Sequence, residues 1–397
     1  MKKKILIIGS GFLQGFVLRK AKEMGYITFA LGTDIDDFCK KYTDHYECIN
    51  IVDKEACLKF AKENNIDGVL SPATDFGVIT ASYIAEQMNL PGLKPEVAKL
   101  IKNKYHVRKC LFENQVDDTQ QAFEISNLTD VEDIAKKLSF PVMVKPCDGS
   151  SSRGASRVDN EDQLKEACEY ALDNSVSHKA EIESFIVGEE YGVENFIENG
   201  KHHVLAVMKK WMTKPPYYSE LGHAIPCGLD KELEEKVIDC AKKAIKALGV
   251  NFGSVNMDLL ITKDRKVHIV DIGARMGGNL IGSHIIPTGT GIDYMGYMIK
   301  AALGEDFTFT RGKNGICATR ILALTPGKIK SLPDFDKIER DNNVTIEHHL
   351  AVGNTINQYK INNDGNGYIV ATADSIEEAV RKVERAKEEI DTSIVRE

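Results

Sequence analysis

Along the first hundred residues, apolar and polar positions switch between two patterns. Short apolar runs, KILII (4–8), YITFAL (26–31) and IDGVL (66–70), are separated by stretches in which apolar residues recur every three or four positions. These stretches are FLQGFVLRKAKE (12–23), EACLKFAKENN (55–65) and VITASYIAEQM (78–88). The runs predict strands and the periodic stretches predict helices. Strands alternating with helices predict a parallel α/β sheet with right-handed crossovers.

The pattern then changes. KPEVAKLIKNKYHVRKCLFENQV (94–116) predicts one basic helix. From Asp118 the elements are shorter: strand AFEIS (122–126), helix DVEDIAKKLS (130–139), strand FPVMVKP (140–146), helix NEDQLKEACEYALD (160–173) and strand KAEIESFI (179–186). Residues 188–212 predict an antiparallel pair turning at Asn199-Gly200. TKPPYYSELGHAIPCGLD (213–230) is expected to be a polar, aromatic loop, followed by a long helix over 231–249. GSVNMDLLIT and KVHIVDIGARMGG predict two strands around the turn Lys263-Asp264-Arg265, and an α+β segment starts near Asn314. The expected fold class is therefore mixed: a parallel α/β unit (1–100), an α+β unit with its leading helix (101–187), a second α+β unit (188–312) and a small α+β end (313–397).

Composition narrows the function. Of 397 residues, 43% are hydrophobic and 28% charged, as in ordinary globular chains. A net charge of -8 argues against a nucleic-acid partner but leaves room for a single nucleotide at a local basic site. Nine widely spaced cysteines without a CxxC argue against a disulfide framework or zinc site, and for a reducing, cytoplasmic compartment. No apolar run approaches the roughly 20 residues of a membrane span. The apolar stretch behind MKKK is too short for a signal peptide.

The chemistry is concentrated in four places. In FPVMVKPCDGSSSRGAS, Lys145 ends an apolar strand and a Gly/Ser loop follows. A phosphate-binding P-loop has its lysine after the glycines, so that motif is absent. A strand-borne lysine can instead meet nucleotide phosphates as a point charge, with the loop closing over them. Gly149 and Gly154 give backbone freedom, Ser150, Ser151 and Ser152 add hydroxyls, and Arg153 is a further cation. In EIESFIVGEEYG, the segment Phe185-Ile186-Val187 suits an adenine, flanked by Glu183 and by Glu190 for ribose hydroxyls.

Asp258 and Asp271 each lie inside an apolar strand, where a carboxylate is costly unless paired or on a metal. The short turn between the strands lets the two carboxylates meet at one end. Magnesium takes one or two carboxylates together with substrate phosphates. Arg275 follows four residues after Asp271, before Gly277-Gly278, and suits a carboxylate or a developing oxyanion. Glu220 and His223 are three apart, behind Tyr217 and Tyr218.

These motifs, in this order, resemble the ATP-grasp superfamily of carboxylate–amine ligases along nearly the whole chain. The resemblance implies a pre-ATP-grasp domain over 1–100, a lid over roughly 118–187 and a main subdomain carrying metal and substrate. It implies that Lys104 and Lys145 hold ATP phosphates, that Glu183 to Glu190 clamp the nucleoside, and that Asp258 and Asp271 bind magnesium or manganese. Within the superfamily, Glu220-x-x-His223 with Arg275 and Gly278 is similar to the amino acid site of L-amino acid ligases. The implied reaction forms an acyl phosphate, releases ADP and phosphate, and joins two small molecules. Homodimers are common in the family.

The family's second metal ligand is usually Glu with Asn two residues on, whereas this chain has Asp271 and Gly273. Purine-pathway ligases and biotin carboxylase share the architecture and remain alternatives. Two readings of other classes are a catalytically silent ATP-binding protein and an NAD-dependent oxidoreductase. The latter is suggested by Gly9-x-Gly11-x-x-x-Gly15, which departs from the dinucleotide fingerprint.

Overall fold

The computed structural model describes residues 2–117, 122–149, 153–198, 200–214 and 217–397. Its first unit is a four-stranded, wholly parallel sheet in the order His45–Cys48, Ile27–Gly32, Lys4–Ile8, Gly68–Leu70. Ile5 to Ile8 are fully buried, as a strand covered on both faces requires. Two elements are additions to the expected set: the edge strand His45–Cys48 and the helix Asp37–Tyr42. HYEC is mostly exposed and so carries no apolar signature, and six residues are too few to show helical periodicity.

The single helix expected over 94–116 is two, Pro95–Lys102 and Lys104–Glu113. The break is Asn103, extended at φ -104° and ψ 109°, whose side chain accepts from the His106 N–H at 3.0 Å. Asn is a strong helix N-cap, so a polar residue inside an apparently continuous pattern restarts the helix. The restart makes Lys104 the first residue of the second helix, and its N–H donates to the Cys147 carbonyl at 2.7 Å.

Next comes an antiparallel sheet in the order Phe123–Ile125, Ala180–Ser184, Val142–Pro146, Ser156–Val158. The helices Val131–Ala135 and Leu164–Asp173 cover one face of it. The strand Ser156–Val158, which follows the Gly/Ser segment, is an addition to the expected set. Its Val158 is fully buried in the core of this unit.

The largest sheet has eight antiparallel strands and runs without a break across residue 312. In spatial order they are Val267–Gly273, Gly253–Ile261, Glu189–Glu198, Lys201–Met212, Glu220–Ile225, Cys317–Ile321, Gly367–Thr372 and Val344–His348. The stretch 213–230, expected to be a loop, thus contributes a central strand, Glu220–Ile225. A Cβ on Gly222 would fall on the Thr319 carbonyl, so glycine permits the close approach of the neighbouring strand. The helices Phe335–Asn342 and Ile376–Ser393 pack around the last strands. Among the described residues, no helix is long and apolar enough to cross a membrane.

Asn103→Ala removes the cap that divides the two helices. We expect a loss of about 1 kcal/mol in stability, read from the urea midpoint at unchanged slope.

Candidate active site

A cleft of about 670 Å³ opens between the small antiparallel sheet and the eight-stranded sheet, with loop 73–76 of the first unit at one end. It is lined by Lys104, Lys145, Gly149, Glu183, Phe185, Ile186, Val187, Glu190, Glu220, Asp258, Asp271, Arg275 and Gly278. Residues more than 170 positions apart thus meet in one place. Gly154 lies outside this lining, in the left-handed region at φ +78°, where a Cβ would collide with Pro146. Ser150, Ser151 and Ser152 lie outside the described residues.

Lys145 and Glu181 are cross-strand partners, and Glu183 is the next residue on the same face. The Lys145 ammonium lies 2.5 Å from Glu183 Oε1 and 3.7 Å from Glu181 Oε2. Arg108 donates from Nε to Glu183 Oε2 at 2.9 Å and from Nη2 to the Ile269 carbonyl at 2.5 Å. Both oxygens of Glu183 are therefore held by cations, which differs from its expected part in clamping the nucleoside. Burial pushes the Glu183 carboxyl up, but Lys145 and Arg108 outweigh it and hold the group below the usual range. Burial, with the Glu183 charge, lifts Glu181 to about 7.

The expected nucleoside segment forms one rim. The Phe185 ring stacks under the Arg157 guanidinium at 4.5 Å and lies 5.9 Å from the Tyr218 ring. Its N–H already donates to the Pro141 carbonyl at 3.1 Å. Val187 is 74% exposed, an apolar side chain open to a ligand at the cleft mouth.

The two aspartates are direct partners, Asp258 opposite Asp271, on adjacent antiparallel strands. Each has an ammonium partner: Lys104 Nζ lies 2.5 Å from Asp271 Oδ2, and Lys210 Nζ lies 2.7 Å from Asp258 Oδ1. Lys210 also meets Glu220 Oε1 at 2.8 Å and Glu190 Oε2 at 3.5 Å. Among the described residues, no group of three or more His, Cys, Asp or Glu is arranged to hold a metal alone. Two facing carboxylates completed by phosphate oxygens nevertheless fit the coordination magnesium prefers.

Arg275 is not free. Its Nε donates to Asp75 Oδ1 at 2.9 Å and its Nη2 to Asp75 Oδ2 at 3.2 Å, so the first unit supplies its counter-ion. Behind the Gly277-Gly278 turn, buried Glu194 accepts from the Gly277 N–H (3.1 Å), Asn256 Nδ2 (2.9 Å) and the Tyr294 hydroxyl (2.5 Å). Burial raises the Glu194 carboxyl to about 7 in spite of these donors.

Glu220 accepts from Asn279 Nδ2 on its other oxygen. A bulge opposite Trp211 and Met212 resets the strand alternation. Glu220 and His223, three apart, therefore share a face, with His223 Nε2 4.0 Å from Glu220 Oε2. His223 corrects an expectation: it is only 1% exposed and lies behind Glu220, outside the cleft lining. Burial pulls its imidazole down to about 4, so it is neutral at pH 7.

Sequence reasoning missed Lys210, Arg108, Asp75 and Glu194. The first two left a signal, since Lys210 sits in the apolar strand VLAVMKKWM and Arg108 is flanked by the buried Val107 and Leu111. Asp75 lies in a loop with no periodicity, and nothing local marks it.

Three carboxyls, Glu181, Glu190 and Glu194, are raised to about 7 by burial. Their folded values exceed the ordinary unfolded one. Their share of stability is therefore complete below about pH 4.5 and lost as pH rises through 7. Glu194→Gln removes one of the three, so the fall in Tm between pH 5 and 7.5 should be shallower in that variant.

Residues 138–283 match the ATP-grasp domain model, and residues 320–395 match L-amino acid ligase C-terminal domain 2. The crystal structure of L-amino acid ligase from Bacillus licheniformis superposes with a TM-score of 0.87, at 24% identity, covering 100% of this chain and 99% of that one. Phosphoribosylglycinamide synthetase from Anaerococcus prevotii gives 0.81 at 22% identity, covering 100% of both chains. A formate-dependent phosphoribosylglycinamide formyltransferase of Sulfurisphaera tokodaii is 24% identical over 409 residues, covering 97% of this chain and 96% of its own. The fold is common to the two solved structures. The chain thus carries an ATP-grasp domain followed by an L-amino acid ligase C-terminal domain.

Proposed function

We propose that the protein is an ATP-dependent, ADP-forming carboxylate–amine ligase that takes an amino acid as one substrate and works in the cytoplasm. One observation carries the reading: two lysines and two facing aspartates line the same cleft as Glu220 and Arg275. The first four suit a polyphosphate, and the last two suit the ammonium and carboxylate of an amino acid. The L-amino acid ligase C-terminal domain favours this over a purine-pathway substrate.

In this reading Lys145 and Lys104 leave Glu183 and Asp271 to meet phosphate oxygens. Gly149 lets the backbone approach the phosphates. The purine rests on Phe185 to Val187, and Glu190 takes ribose hydroxyls. Asp258 and Asp271 would hold magnesium, which supplies charge neutralisation at the phosphates. A substrate carboxylate oxygen attacks the γ-phosphorus, the bond to the bridging oxygen breaks, and ADP leaves. An amine nitrogen then attacks the acyl carbon, phosphate departs, and one proton is released. Arg275 stabilises the oxyanion formed in that second step. Water must be excluded while the acyl phosphate exists, which is the task of lid 118–187.

The test is nucleotide release with Mg-ATP and single or paired amino acids. ADP and phosphate appearing only with particular acids are expected. AMP and pyrophosphate would overturn the acyl-phosphate route. Lys145→Ala and Asp258→Asn should each lower turnover by about a hundredfold or more, with circular dichroism unchanged.

A further inference from the structure

Glu181 is a buried carboxyl that neither the motif reading nor the proposed reaction uses. It lies on the strand Ala180–Ser184 and is 1% exposed. Neither of its oxygens has a hydrogen-bond partner among the described residues. A carboxyl so placed is costly to ionise, and it keeps a proton more readily than one in water.

Charged and titratable groups face it from each element packed around it. Glu183 stands two residues on, on the same face of the strand. Lys145 is the cross-strand partner on one side, with its ammonium 3.7 Å from Glu181 Oε2. Glu124 is the partner on the other side and is itself paired with Lys179 at 2.8 Å. The Cys147 thiol lies 4.0 Å from Glu124 Oε1 and is held neutral by burial. The helix Lys104–Glu113 adds the charges of Arg108 and Lys104. With Glu181 neutral, Lys145 and Arg108 balance Glu183 and Asp117. Ionised Glu181 adds a negative charge that has no cation of its own.

That balance changes when Lys145 turns to a phosphate, because Glu183 then keeps Arg108 alone. Glu183 and Glu181 bracket one ammonium, at 2.5 Å and 3.7 Å. Once it departs, a protonated Glu181 can donate its O–H to Glu183, whereas an ionised one repels it.

We propose that Glu181 is a positioning residue whose proton takes the place of the Lys145 ammonium beside Glu183, so that the lysine exchanges to a nucleotide phosphate more readily with that proton present than without it. The inference rests on the proposed reading of Lys145 as a phosphate ligand. Glu181 touches no substrate and acts through the lysine, and its proton is not transferred. Loss of the ammonium and approach of a polyanion both favour the protonated form. Nucleotide binding therefore takes up a proton near and above pH 7, and affinity falls as pH rises.

The experiment is titration calorimetry with ADP and magnesium between pH 6 and 8.5, in two buffers of different ionisation enthalpy. Comparison with Glu181→Gln cancels the titration of ADP, Glu190 and Glu194, which both proteins share. Glutamine cannot ionise and still offers an N–H to Glu183. Glu181→Gln should match wild type at pH 6, bind ADP about tenfold more tightly at pH 8.5 and take up fewer protons. Glu181→Leu has no donor and should bind more weakly than Glu181→Gln at every pH. An affinity ratio of wild type to Glu181→Gln that stays constant with pH, with equal proton uptake, would overturn the proposal and leave nucleotide binding standing. Wild-type protein that binds no nucleotide, or ADP affinity unchanged in Lys145→Ala, would overturn it together with the phosphate reading of Lys145. A merely structural Glu181 would shift the unfolding midpoint and leave the ratio flat.

Discussion

One carboxylate shared by two cations holds the cleft together. Glu183 accepts from Arg108 and Lys145, and Arg108 reaches on to the Ile269 carbonyl and Asp117. The three anchor points belong to the small antiparallel sheet, the capped helix and the outer strand of the large sheet. Arg108 has 5% of its side chain exposed and Glu183 9%, so neither charge has water to fall back on. Removing one partner of such a pair costs about 3–5 kcal/mol, because the other is left buried and uncompensated. The cluster therefore joins the small antiparallel sheet to the large one and also fixes the place of Lys145.

The same rule governs the rest of the cleft. Lys104 faces Asp271, Lys210 faces three carboxylates, and Arg275 faces Asp75. Lys104, Lys145, Lys210 and Arg275 each already have an anion partner, so in the proposed reading ligands enter by exchange of partners. Exchange leaves the desolvation penalty nearly unchanged, whereas creating a new buried charge would not. In the proposed reading a polyphosphate would replace Glu183 or Asp271 at the lysines, being also anionic, strongly hydrogen-bonding and larger.

Much of this was legible in the chain because it follows from local rules. Asp258 and Asp271 were marked by their apolar neighbours and the short turn between them, and they proved to be direct cross-strand partners. Lys145 was marked by the strand that ends at it. The parallel sheet followed from alternating periods. What was not legible depends on distant partners: Asp75 gains meaning only from a residue two hundred positions later. His223 was expected at the substrate, but neighbouring strands cover it completely. The strand Glu220–Ile225 was hidden by the prolines and tyrosines before it, which suggested a loop.

The departures from regular pattern are the places where the site is built. Asn103 interrupts a helix and thereby places Lys104 opposite Asp271. A bulge opposite Trp211 and Met212 turns Glu220 onto the face of Lys210. Gly222 lets the next strand approach where any side chain would collide with Thr319. An ideal helix in place of Asn103 would carry Lys104 away from its strand, and an ideal ladder would point Glu220 to the opposite face of the sheet. The regular elements supply the rigidity, and these few irregular residues decide which charges meet inside it.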